Sequence, residues 1–337
     1  MRFEKHLTKP MNDLNTGASG ESPDISRSEK HTKYDHRRFY QIAGITIQLE
    51  SDLPFKENTF SPKFESFEIS SPGEDTIFIR HHFSLPDLEK RDLGKEVYRK
   101  APWAIYEKDN SWIYLGIYPP PREYVIHRFI EFNRNHSHGE IYNENDKVFS
   151  MGGHHALTLF PSDQILLARI LPDRDGFYLH SSGVVLDGQG LLFVGHSEAG
   201  KSTMIKMLKG QAKILCDDRM IIRKWPEGFK IHGTWSHGEV PEVSSASAPL
   251  RAIFFLEKNP EDRLAPLRDR REIFINLTAC LIKPFITSGW ITRVLNLIEE
   301  IPDRIPCYRL YFNKEGQVVD LLKRYCASPD SFPGFQK

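Results

Sequence analysis

The nine residues Gly195-His196-Ser197-Glu198-Ala199-Gly200-Lys201-Ser202-Thr203 match G-x-x-x-x-G-K-[ST], follow the apolar run LLFV and open onto TMIKMLK, which has helical spacing. Phosphate oxygens are gripped by backbone N–H groups, so glycine is needed where a side chain would intrude, and a helix N-terminus adds partial positive charge. All nine are therefore candidate nucleotide-binding positions, with Lys201 neutralising the β- and γ-phosphates and the Ser202 hydroxyl ligating Mg²⁺. The alternative is a plain glycine turn at a helix start. Asp217 and Asp218 follow the apolar run KILC one helix and one turn later. In a strand-loop-helix-strand unit this puts both carboxylates beside the phosphate loop, at the edge where open α/β sheets bind ligands. One could hold Mg²⁺ and the other accept a proton from an attacking hydroxyl, unless the pair is only a solvated strand end or a helix cap.

Three further groups have weaker patterns. His180 stands just before an expected hairpin that returns the chain to the loop's own strand, so it could approach the phosphates or tune an aspartate; a lone histidine is more often structural. The run Ile231 to Glu239 (IHGTWSHGE) places glycines around Thr234, His237 and Glu239, which suggests a mobile loop in which Glu239 could complete metal coordination; a polar surface turn is the bland reading. The pairs His81-His82 and His154-His155 lack other Cys or His at ligand spacing.

These residues need a scaffold. FYLHSSGVVL, Asp187-Gly188-Gln-Gly and LLFVG predict two antiparallel strands reversed by a tight turn, leading into the glycine loop. KILC and RAIFFLEK predict buried strands, and ITRVLNLIEEIP and LLKRY predict helices. Earlier in the chain, FYQIAGITIQLES, TIFIRHHF, WAIYE and SWIYLGIY are short β-branched or aromatic runs between Pro, Gly, Asp and Asn, which predict a β-rich domain over 37–158. Its Trp103, Tyr106, Trp112 and Tyr114 could form a ligand platform, but alternating aromatics on strands are usually core. SDQILLARI, with a Ser or Asp cap candidate at 162 or 163, predicts a helix joining that domain to a second one over 159–328. Residues 1–36 are polar and read as a disordered tail, and 329–337 as a short C-terminal tail.

Bulk numbers bound the partners. Of 337 residues, 39% are hydrophobic and 27% charged, with Lys+Arg and Asp+Glu both at 45, so no charge excess points to nucleic acid or a membrane surface. No stretch approaches the roughly 18 apolar residues of a membrane span, and no signal peptide is visible. Cys216, Cys280, Cys307 and Cys326 lack C-x-x-C spacing and read as reduced buried thiols, which favours the cytoplasm. Assembly into a homo-oligomer stays open.

The histidine starting HSSGVVLDGQGLLFVG, the loop GHSEAGKST and the aspartates of CDDR, in this order and spacing over about residues 160 to 325, resemble the HPr kinase/phosphorylase family, built on a phosphoenolpyruvate-carboxykinase-like fold. The resemblance implies an α/β, mixed-sheet P-loop kinase domain preceded here by the β-rich part. It implies ATP and Mg²⁺ as cofactors, phosphate binding by Lys201, magnesium binding by Ser202, Asp217 as base toward an acceptor serine, and assistance from His180 and Asp218. Glu239 falls where the family carries a metal-binding glutamate. His196, Glu198 and Thr203 depart from the family's usual GDSGVGKSE loop, and the stretch from Ile282 does not reproduce its later basic segment. The variant is closer to HPr-kinase-like proteins found beside peptide-modifying enzymes, so a protein or peptide hydroxyl is the implied acceptor. Two other readings remain: a non-catalytic ATP-binding switch module, and a small-metabolite kinase, whose sheet would be all parallel.

Overall fold

The structure, a computed structural model, describes residues 35–159, 163–284 and 287–328. Both expected tails therefore lie outside the described residues, apart from Asp35 and His36, which begin the first strand.

Within the described residues the first half forms one mixed sheet. Its strands are β1 (Asp35–Ile42), β2 (Ile45–Phe55), β3 (Glu68–Ile69), β4 (Thr76–His82), β5 (Lys95–Lys100), β6 (Trp103–Lys108), β7 (Ser111–Ile117), β8 (Ile126–Asn133) and β9 (His138–Asn143). Their order across the sheet is β3-β1-β2-β4-β9-β8-β7-β6-β5. Both faces are apolar where they are covered: Tyr40, Ile47, Ile79, Trp112 and Tyr114 belong to one buried cluster, and Ala104, Tyr106, Ile113 and Phe129 to another. Trp103, Tyr106, Trp112 and Tyr114 are all buried, so these aromatics are packing residues.

A 3-10 turn at Pro62–Phe67 and helix α1 (Lys147–Met151) precede α2 (Asp163–Ile170), the connecting helix expected from SDQILLARI. Asp163 does not spend its carboxylate on its own helix. It accepts from Leu157 N at 2.7 Å, Thr158 N at 3.1 Å and Thr158 Oγ1 at 2.7 Å, fastening the preceding loop.

The second sheet contains β10 (Gly176–Leu179), β11 (Ser181–Leu186), β12 (Gln189–Val194), β13 (Lys213–Cys216), β14 (Met220–Trp225), β15 (Gly228–His232) and β16 (Ser247–Lys258), in the order β10-β14-β15-β16-β12-β11-β13. Two more strands, β17 (Arg263–Pro266) and β18 (Cys307–Phe312), extend it beside β16. β11 and β12 are antiparallel across Asp187 (φ 50°) and Gly188 (φ 76°), the two positive dihedrals that a tight hairpin turn requires. Helices α3 (Lys201–Leu208) and α6 (Val318–Ala327) bury Met204, Ile205, Leu208, Val318 and Leu322 on one face of this sheet. Helices α4 (Arg270–Ala279) and α5 (Ser288–Arg304) bury Ile273, Leu277, Trp290, Val294 and Ile298 on the other. The chain is thus a mixed α/β protein with two mixed sheets and a β-rich first half. Among the described residues no helix is long and apolar enough to cross a membrane.

The halves are packed together by specific contacts. Trp235, just after β15, lies against Phe64 and Phe67 of the 3-10 turn, with ring centroids 5.2 and 5.1 Å away. Arg174 forms a two-pronged pair with Asp75 at 2.6 and 2.7 Å, and Arg223 donates to the carbonyl of Ala43 at 2.6 Å.

Candidate functional site

Topology brings the chemistry to one edge. β11 is antiparallel to both β12 and β13, so β12 and β13 run the same way with β11 between them. β16 is parallel to β12, and β18 to β16. The carboxyl ends of four strands therefore share an edge: β12 enters the glycine loop, β13 leads into Asp217, β16 ends at Lys258 and β18 leads into Asn313 and Lys314. Because Ser181 pairs with Val194, His180 stands at that edge too. A cavity of about 560 Å³ opens there, lined by His180, Lys201, Ser202, Asp217, Asp218, Glu239, Lys258 and Lys314 among others.

The loop has the backbone that its glycines were expected to permit. Gly200 caps α3 at φ 106°, and a Cβ built there would sit 2.6 Å from the Phe312 ring. Glu198 also takes a positive φ, 68°. Lys201 is buried and donates to the carbonyls of Gly195 at 2.8 Å and His196 at 3.1 Å, which folds its ammonium over the loop. Burial pushes its pKa down, while Cys280 and the two aspartates act in the opposite direction.

The two aspartates differ. Asp217 is 1% exposed, and both of its oxygens are engaged: Gly238 N donates to Oδ1 at 2.6 Å, and Val240 N and Ser202 Oγ donate to Oδ2 at 2.9 and 3.2 Å. Asp218 faces the cavity, with His180 Nε2 3.0 Å from Oδ1 and Arg219 3.0 Å from Oδ2. Burial alone would raise the Asp218 carboxyl, but the His180 hydrogen bond and the positive charges of Arg219 and Lys201 hold it below the usual carboxylate range.

Residues 231–239 are divided by the fold. Thr234 is fully buried and donates to the Arg219 carbonyl at 2.7 Å, so it fixes Arg219 instead of facing a ligand. His237 turns toward a different cavity, with Lys63, His155 and Arg219. Glu239 lines the main cavity, but its carboxylate is mostly exposed and paired with Lys206 at 2.9 Å. Among the described residues no three His, Cys, Asp or Glu side chains converge where they could hold a metal. The oxygens present, the Ser202 hydroxyl and the Asp217 and Asp218 carboxylates, are hard donors of the kind Mg²⁺ takes alongside phosphate and water. His81 is buried against the Leu157 carbonyl, and His82 lies between Asp52 and Glu140; both are on β4 of the first sheet, and neither lines the cavity at the glycine loop. All four cysteines are buried and free.

Sequence reading missed one side of the site. A second cavity of about 350 Å³ adjoins the loop, lined by Gly200, Thr203, Lys258, Asn259, Pro260, Phe312, Asn313 and Lys314. Lys258 and Lys314 line both cavities. The signal was present as Lys-Asn-Pro after RAIFFLE and Asn-Lys after LYF, but only the parallel pairing of β16 with β18 puts these pieces side by side.

Residues 163–325 match a protein-family model described as SynChlorMet cassette protein ScmC. No curated protein matches the chain. Among solved structures, the HPr(Ser) kinase/phosphatase from Coxiella burnetii is similar at 11% identity, with 45% of this chain and 98% of that chain covered and a TM-score of 0.28.

Proposed function

We propose that the chain is an ATP-dependent kinase that transfers the γ-phosphoryl group to a hydroxyl of a protein or peptide. The observation that carries this reading is the juxtaposition at one sheet edge of a glycine loop holding Lys201, a Ser202 hydroxyl bonded to Asp217, and a free-facing His180–Asp218 pair.

The parts divide the work. The backbone of residues 195–203 wraps the β- and γ-phosphates, which draw the Lys201 ammonium from the Gly195 and His196 carbonyls. Lys258 and Lys314 extend the positive wall, and the less polar cavity beside Phe312 and Pro260 takes the nucleoside. The Ser202 hydroxyl, oriented by Asp217, would hold a Mg²⁺ ion brought by the nucleotide, and that ion would supply neutralisation of phosphate charge. Asp217 is best read as the residue that orients Ser202, because its oxygens already accept three hydrogen bonds. The proton acceptor is better sought at Asp218. As the acceptor oxygen forms its bond to phosphorus and the bond to the ADP oxygen breaks, the hydroxyl proton passes to the Asp218 carboxylate, held in place by His180 and Arg219. This differs from the division implied by the family resemblance, in which Asp217 was the base.

The antiparallel β11–β12 hairpin disfavours the small-metabolite kinase reading, whose sheet would be all parallel. The switch-module reading has no use for a carboxylate held ionised by an imidazole and a guanidinium at the cavity wall. The test is incubation with γ-labelled ATP, Mg²⁺ and serine-containing peptides. Label on peptide hydroxyls, abolished in Asp218→Asn, is expected; tight nucleotide binding with no labelled product under any acceptor would overturn the kinase reading.

A further inference from the structure

A separate cavity of about 360 Å³ lies where the two halves meet, lined by Lys63 from the 3-10 turn, His154, His155, Asp163, Arg219, Trp235 and His237 among others. It adjoins the site above through two elements. Arg219 lines this cavity and grips Asp218 of the other. The segment Trp235-Ser236-His237 lines this cavity, while the next two residues, Gly238 and Glu239, line the nucleotide cavity.

Its polar inventory is lopsided. Lys63 makes no ion pair among the described residues, although the Asp163 carboxylate attracts its ammonium, which lies 5.2 Å from the Phe64 ring centroid. Arg219 Nε and Trp235 Nε1 are buried N–H donors without an acceptor, and Trp235 is 1% exposed. The carboxylate in the wall, Asp163, is buried and already filled by the three donors of Leu157 and Thr158. Buried donors left without acceptors are costly, and a ligand rich in acceptor oxygens removes that cost.

Resting on the kinase reading, we propose that this cavity seats a carboxylate of an acidic peptide acceptor, bound by Lys63, Arg219 and Trp235, and so holds a nearby hydroxyl of the same peptide at Asp218. The first half of the chain would thereby supply acceptor specificity, with Lys63 as its contribution.

The test uses the full chain with magnesium and a non-hydrolysable ATP analogue. Two fluorescein-labelled hexapeptides are titrated by fluorescence anisotropy, one with a serine and three acidic residues, the other with the acidic residues replaced by their amides. The acidic peptide should bind about tenfold more tightly, the scale of one charge-assisted hydrogen bond. Lys63→Gln should erase the preference while fluorescent nucleotide still binds, and Lys63→Arg should restore most of it. Equal binding of the two peptides, no binding of either, or a preference that survives Lys63→Gln overturns the proposal. Labelling of the same peptides from γ-labelled ATP is read separately. Lys63-dependent binding without label sinks the kinase reading and leaves the cavity assignment standing, whereas label without charge preference does the reverse.

Discussion

Both oxygens of Asp217 are occupied by N–H and O–H donors and the residue is 1% exposed, although it lines the cavity; Asp218, one residue on, is braced by His180 and Arg219 and is the more open of the two. The two substitutions should therefore separate. Asp218→Asn should lower turnover by roughly 10²–10⁴-fold with nucleotide affinity nearly unchanged, as measured by steady-state kinetics and nucleotide titration. Asp217→Asn turns an acceptor into a donor against buried N–H groups and should cost about 1–3 kcal/mol in denaturant unfolding, with weaker nucleotide binding. A pH effect also belongs to Asp218. Its folded pKa is depressed, so its stabilising contribution is present above the ordinary carboxyl value near 3.8 and is lost as pH falls through the lower folded value. The stability gap between the native chain and Asp218→Asn should accordingly shrink below about pH 4.

Among the elements, the loop between β15 and β16 and the turn before α3 decide whether the site holds its shape. At Gly200 the backbone is left-handed and the Phe312 ring fills the space a Cβ would need. Gly200→Ala should cost about 1–3 kcal/mol and lower nucleotide affinity by more than tenfold, read by thermal melting and nucleotide titration. Trp235 is pinned by Phe64 and Phe67 three residues before Gly238, whose N–H holds Asp217. Trp235→Ala should cost about 3–5 kcal/mol and weaken nucleotide binding as well, although it touches no phosphate. The glycine loop, the aspartate pair, His180 and the β11–β12 hairpin were legible in sequence because each is local: a motif, a strand end, a turn with its own dihedral demand. Glu239 was singled out by the glycines around it and by the family resemblance, and neither could foresee that Lys206 would pair with its carboxylate. Thr234 looked like a polar group on offer, yet the chain buries it to hold Arg219.

For the molecule as a whole, what the sequence concealed was long-range pairing. Lys258 and Lys314 are 56 residues apart and meet only because β16 and β18 run parallel; Lys63 reaches the site only because the 3-10 turn clasps Trp235. The same packing buries histidines. Burial holds His81, His136 and His232 down to about 3 from an ordinary 6.5. Their neutral forms favour the folded state above pH 6.5, and that advantage is lost as pH falls from 6.5 toward 3, because the unfolded chain takes up the protons first. The melting temperature should begin to fall near pH 6.5; a flat profile down to pH 5 would contradict that burial. The central claim, that the edge formed by β12, β13, β16 and β18 grips a nucleoside triphosphate through Lys201, is tested most directly by titrating a fluorescent ATP analogue with Mg²⁺ into the native chain and into Lys201→Ala. Saturable binding that weakens by about a hundredfold in the variant is the predicted result; no binding to the native chain, or equal binding to both, would contradict it.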